Sequence, residues 1–218
     1  PPNPLPMPSD STILRANGTL VTGTVTFSGT GFYSIPGAKN GVTNPYPSPI
    51  RWDSVYAASN NIASSYTLWD PSIGYRGGFV TVSLGGVPSA GSATNIIQPG
   101  QAFFVEATGS GSVSVSVNES HKTSGNNNSV FAPVSLPAAS LQASIYYKEA
   151  TGYRRLADGA VSQMDDNFNT ALDYNDAVEI ANWDENLAIA QGGKLLAIEQ
   201  RKKPVANDTL SLYILSLI

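Results

Sequence analysis

The chain of 218 residues has no cysteine, which excludes disulfides, thiolate metal sites and a cysteine nucleophile. It has a single histidine, His121, so a Ser-His-Asp triad would hang on one residue. Charge is sparse: 12 Lys+Arg against 16 Asp+Glu leave a net charge of −4. No basic stripe is available to neutralise phosphates, which argues against nucleic acid and against an anionic membrane. No apolar run approaches the roughly 20 residues that cross a bilayer, and the first residues lack the order of a signal peptide. The chain as given therefore reads as soluble and as a processed or excised piece.

What is present is β-like. Val21, Val25 and Phe27 alternate with Thr22, Thr24 and Thr26, and Val113, Val115 and Val117 alternate with serines, giving strands with one wet face. Further strands are expected at Tyr66–Trp69, Phe79–Leu84, Ala102–Ala107, Gln142–Tyr147, Lys194–Glu199 and Thr209–Leu217. Phe103 and Phe104 must face opposite ways, so both faces of their sheet are at least partly covered. Helical signals are few. Ile50 to Ala58, with Pro49 near its start and Asp53 in its first turn, suits a turn or two, and Asp173 to Ala181 is a weaker case. Many short strands with polar turns predict an all-β antiparallel sandwich, jelly-roll or Ig-like.

The organisation expected is a Pro-rich linker over 1–8, a first β unit over 9–131 and a second over 132–218, the two either separate or sharing one core. The Asn-rich segment from Asn118 to Ser129 reads as an exposed loop that leaves His121 as a solvated surface residue. The apolar run Leu212 to Ile218 implies that the chain continues naturally or that this strand completes an edge supplied by a partner.

Several motifs in the middle of the chain occur in a fixed order. They are Asn44-Pro45-Tyr46-Pro47-Ser48-Pro49-Ile50-Arg51-Trp52-Asp53, Tyr66-Thr67-Leu68-Trp69-Asp70-Pro71, Gly77-Gly78-Phe79-Val80 and Ile97-Gln98-Pro99-Gly100-Gln101-Ala102-Phe103-Phe104-Val105. With Phe168, Asp173-Tyr174-Asn175-Asp176-Ala177, Glu185-Asn186-Leu187-Ala188-Ile189, Lys194 to Arg201 and Asp208-Thr209-Leu210, the series resembles a segment of large Bacteroidetes proteins. Those proteins are secreted or cell-surface cargo of the type IX secretion system, and the segment lies just upstream of their C-terminal sorting domain. The resemblance covers roughly residues 31 to 218. It implies an extracellular β-sandwich tract in a long adhesin-like protein, with neighbouring domains and, through a sorting domain absent here, the secretion machinery as partners. It carries no catalytic residues across.

Two constellations bear on chemistry. Counting Asp165 as position one, Asn167, Asn169, Asp173 and Asp176 fall at three, five, nine and twelve of a calcium loop. Position six is Thr170 rather than glycine, position twelve lacks glutamate and no helices flank it, so a solvated acidic turn explains the same residues. The second is a set of aromatics able to stack on sugar rings: Tyr46, Trp69 and Tyr75 foremost, with Trp52 and Trp183. Each has a core or loop-anchoring alternative. Asp53, Asp70, Asp158 and Glu185 are acids without an evident pairing. The expected function is a non-enzymatic extracellular structural or adhesive module that touches surface glycans. The alternative is a carbohydrate-binding module of a secreted enzyme.

Overall fold

The computed structural model describes residues 17–109, 111–124 and 139–216. The Pro-rich linker over 1–8 and the division near residue 132 lie outside the described residues. The first half contains strands β1 (Val25–Phe27), β2 (Lys39–Thr43), β3 (Ile50–Arg51), β4 (Ile62–Asp70), β5 (Gly78–Val82), β6 (Ile96–Ile97), β7 (Ala102–Ala107) and β8 (Val115–Val117). The second contains β9 (Ser140–Lys148), β10 (Arg154–Met164), β11 (Ala177–Val178), β12 (Glu185–Gln191), β13 (Lys194–Arg201) and β14 (Leu212–Ser216). A short helix, α1 (Trp52–Ala57), lies within the expected stretch Ile50 to Ala58, whose first two residues instead form β3. The fold is all-β. The stretch Asp173 to Ala181 is not helical; it holds a bend and the two-residue β11.

The first half is built on a four-stranded antiparallel sheet in the order β2-β7-β4-β5, with the antiparallel pairs β1–β8 and β3–β6 beside it. Its inward residues, among them Val42, Leu68, Val80, Phe103 and Val105, share one core with Ile50 of β3, Val55 of α1 and Val115 of β8. The expected alternation at β7 is observed: Phe103 is buried at 2% exposure while Phe104 is 37% exposed.

The second half is a six-stranded sheet running β14-β12-β13-β10-β9, with β11 also paired to β13. It is not wholly antiparallel, because β10 and β13 run parallel with Val161 opposite Ile198. Three of its strands were not expected from the sequence, β10, β11 and β12. A register shift in β10 between Leu156 and Asp158 marks a bulge, which lets Asp158-Gly159 sit inside a strand instead of turning the chain.

The halves meet closely. Val87, from the segment after β5, packs with Val161, Ala177, Ala197 and Ile198 in one buried cluster. A Cβ on Gly159 would lie 2.7 Å from the Ser89 carbonyl, so only glycine permits β10 to approach that segment. The turn between β4 and β5 is tied down by Gly74 N–H donating to Leu156 O (2.8 Å) and Phe79 N–H donating to Asn182 Oδ1 (2.6 Å).

Candidate functional site

Of the sequence-selected aromatics, two are not surfaces at all. Trp52 is fully buried, and Tyr46 is 1% exposed, which overturns its assignment as a sugar platform. The loop is not simply extended: the backbone bends over Tyr46, Pro47 and Ser48, and the ring is buried. Its hydroxyl reaches Gly23 O and, at 3.0 Å, Val117 O, while Lys122 Nζ lies 4.4 Å above the ring. Tyr46 therefore pins its loop to β8. Tyr46→Phe should cost about 1 kcal/mol, the typical net worth of one hydrogen bond, and leave carbohydrate retention unchanged; urea unfolding and a polysaccharide pull-down would check both.

His121 is likewise buried, not solvated. It closes a short 3-10 turn, Glu119–His121, in which Asn118 Oδ1 accepts from Ser120 N–H (3.0 Å) and His121 Nδ1 accepts from Asn118 N–H (3.3 Å). Burial holds its pKa below the ordinary histidine value, so the ring stays neutral and fit to accept. The spacing of Asn118 and His121, cap residue and third residue, was a readable capping signal.

Tyr75 is 50% exposed but leans on the second half. Its ring lies 4.9 Å from that of Tyr147, and the Arg155 guanidinium stands 5.2 Å from its centroid. Desolvation pushes the Tyr147 hydroxyl up to about 12, as expected of a phenol enclosed at this contact. Next to Tyr75, Arg76 pairs with Asp184 at 3.6 Å, beside the exposed Trp183. Tyr75 thus anchors the β4–β5 turn.

Trp69 is the sequence-selected aromatic that stands on an open sheet face. It is 39% exposed, pairs in register with Phe79 and meets it edge-on at 5.0 Å. Phe79 in turn meets Phe104 at 6.1 Å, again edge-on. Because Phe104 is opposite Thr67, two positions before Trp69, all three rings share the outer face of the four-stranded sheet. Gly77 makes room for this strip: at φ +90 it takes a backbone suited to glycine, and a Cβ there would be 2.5 Å from the indole. Phe79 and Phe104 were not selected as surface residues from sequence; the register was needed to join them to Trp69.

On the opposite side of β4, a half-open groove of about 190 Å³ lies between the strand end and the loop before β7. Tyr66, Leu68, Ala93 and Ile96 supply its apolar part. Asp70, Thr94, Gln98 and Gln101 supply polar groups. Trp69 borders it, although strand alternation sends its indole to the other face.

The acidic loop after β10 binds its own backbone. Asp165 Oδ1 accepts from Asn167 N–H (2.9 Å), Asn169 Oδ1 from Ala171 N–H (3.1 Å) and Asp173 Oδ1 from Asn175 N–H (2.8 Å). Asp176 is turned inward, accepting from Asp173 N–H and Gln200 N–H. These are the geometries of successive Asx turns. Among the described residues, no three His, Asp or Glu side chains gather as a metal cage.

The remaining acids are structural in their contacts. Asp53 accepts from Gly85 N–H (3.1 Å) and Asn95 Nδ2 (2.7 Å), and Asp70 Oδ1 from Ser72 N–H (2.8 Å) and its hydroxyl (2.7 Å). Asp158 is buried, with Gly159 N–H at 2.8 Å and Leu187 N–H at 2.7 Å, and desolvation raises its pKa to about 6. Glu179, influenced by the Asp158 charge, is also raised by burial. Among the described residues, no helix is long and apolar enough to cross a membrane. Comparison with protein-family models, with curated proteins and with solved structures gives no match to this chain.

Proposed function

We propose that the chain is a non-enzymatic, extracellular module of a large secreted or cell-surface protein, exported like the type IX cargo it resembles, and that it serves as an adhesive scaffold for surface glycans. The observation that carries this reading is the aromatic strip of Trp69, Phe79 and Phe104. Large rings left on a sheet face, where burial would be favourable, mark a contact surface, and their π faces and edges suit the C–H faces of sugars. The acids support a non-catalytic reading, since Asp53, Asp70 and Asp158 are each engaged by donors that hold loops and strands in place.

Retention on insoluble polysaccharides (cellulose, chitin, xylan and a bacterial cell-surface preparation) tests it. Trp69→Ala and Phe104→Ala should each weaken retention at least about tenfold, some 1.4 kcal/mol, with thermal midpoints close to the parent. Retention equal to the parent in both variants, or none by the parent, would reduce the module to a scaffold without an adhesive face.

A further inference from the structure

We propose that the groove beside β4 is a separate binding site for one neutral sugar ring, such as the terminal or a side-chain residue of a glycan. The proposal rests on the reading of this chain as a glycan-facing module, but uses residues on the other side of the strand from the aromatic strip.

The groove is lined by a residue with an unsatisfied donor. Gln98 Nε2 is buried and has no hydrogen-bond partner among the described residues. Its main chain is fixed from two directions: Gln98 N–H donates to Gln101 Oε1 (2.8 Å), and Gln98 O accepts from Gln101 N–H (3.1 Å) and Asn44 Nδ2 (3.1 Å). A side-chain amide donor buried without a partner on this fixed stretch of main chain carries a free-energy penalty that a ligand oxygen would relieve.

The lining is divided between apolar and polar groups. Ile96 and Pro71 offer accessible apolar contact over a floor of buried Leu68, Ala93 and Tyr66, the last held by its hydroxyl bond to Thr94 O. Gln98, Gln101, Thr94 and Asp70 offer short polar groups around it. Apolar contact bordered by amides, a hydroxyl and one carboxylate matches a pyranose, with its C–H faces and equatorial hydroxyls.

Charge and size set the class. No lysine, arginine or histidine lines the groove, and its ionisable acid is Asp70, so an anionic sugar meets repulsion without compensation. At about 190 Å³ it is smaller than the roughly 300–1,000 Å³ typical of drug-sized sites, which limits it to a single ring.

The test is calorimetric titration of the full chain with glucose, galactose, mannose, xylose and N-acetylglucosamine, and with glucuronate and galacturonate. At least one neutral sugar should bind saturably, with uronates at least about tenfold weaker. Gln98→Leu and Gln98→Glu should each reduce that affinity at least about tenfold at an unchanged thermal midpoint, whereas Phe104→Ala should leave it unaltered. Absence of binding by every neutral sugar, binding that survives both Gln98 substitutions, or equal affinity for uronates would overturn the site. Loss of polysaccharide retention in Phe104→Ala with soluble-sugar binding intact supports both surfaces. Soluble-sugar binding without any retention by the parent supports the groove and sinks the adhesive strip.

Discussion

Trp52→Ala is expected to destabilise the protein by about 3–5 kcal/mol, a large part of the 5–15 kcal/mol that holds an ordinary domain together. The indole is wholly buried, 5.1 Å from the Tyr66 ring and 6.0 Å from that of Phe103, with Tyr56 at 6.1 Å. Removing it empties the centre of the first core. A second loss is specific. The pairing of β4 with β7 skips from Ile62/Ala107 to Tyr66/Val105, so Ser64 falls in an irregular stretch of the ladder. Trp52 Nε1 donates to Ser64 O at 2.9 Å within that stretch. Trp52→Phe isolates this term: most apolar burial is kept, and the unpaired carbonyl should cost about 1–3 kcal/mol. Urea unfolding of both variants measures the two quantities, and equal midpoints for Trp52→Phe and the parent would show that Ser64 O finds another donor.

The stability margin of the parent over Asp158→Ala is expected to shrink as pH rises. Both oxygens of Asp158 accept backbone N–H groups, and each donor left without an acceptor costs about 1–3 kcal/mol, so the alanine variant is the weaker at pH 5. Burial nevertheless opposes the charged form: the folded pKa is about 6, against an ordinary carboxylate value of 3.8. A carboxyl raised on folding lends its full stabilisation below the unfolded value and loses it as pH climbs through the folded one. The margin should fall by about 1–3 kcal/mol between pH 4 and pH 7. Glu179 is common to both proteins and its rise by burial cancels, but the part of its rise that comes from the Asp158 charge exists only in the parent and acts in the same direction. His121 has the opposite sign, since a lowered histidine pKa withdraws stability as pH falls, but it is common to both proteins and cancels. Unfolding titrations at several pH values between 4.5 and 7.5 decide the matter. A margin that is flat or grows with pH would mean that the carboxylate is better solvated than its enclosure implies.

Period-two patterning was sufficient for strands whose faces differ, as at Phe103 and Phe104, and Pro49 with Asp53 located the helix. It failed where local chemistry spoke against the tertiary outcome. Asp158-Gly159 has the composition of a turn, yet donors from β12 and the close approach of Ser89 make it the middle of β10. The prolines around Tyr46 describe an extended loop without saying which way the ring points, and the answer lies with Gly23 and Val117 carbonyls far along the chain. The candidate surfaces were legible only in part. Trp69 could be named, but its companions depend on strand register and the groove on a loop folded back beside β4, neither of which is local. The parallel pairing of β10 with β13 has no sequence signature of its own.

The cluster around Val87 has a consequence for the order of events during synthesis. Its partners Val161, Ala177, Ala197 and Ile198 all belong to the second half, and the Phe79 to Asn182 hydrogen bond spans 103 positions. A ribosome that has released the first sheet still holds the residues that cover its flank. Until β13 emerges and lies alongside β10, Val87 has none of its apolar partners and Phe79 N–H lacks its acceptor, so a stalled or clipped chain would leave both uncovered.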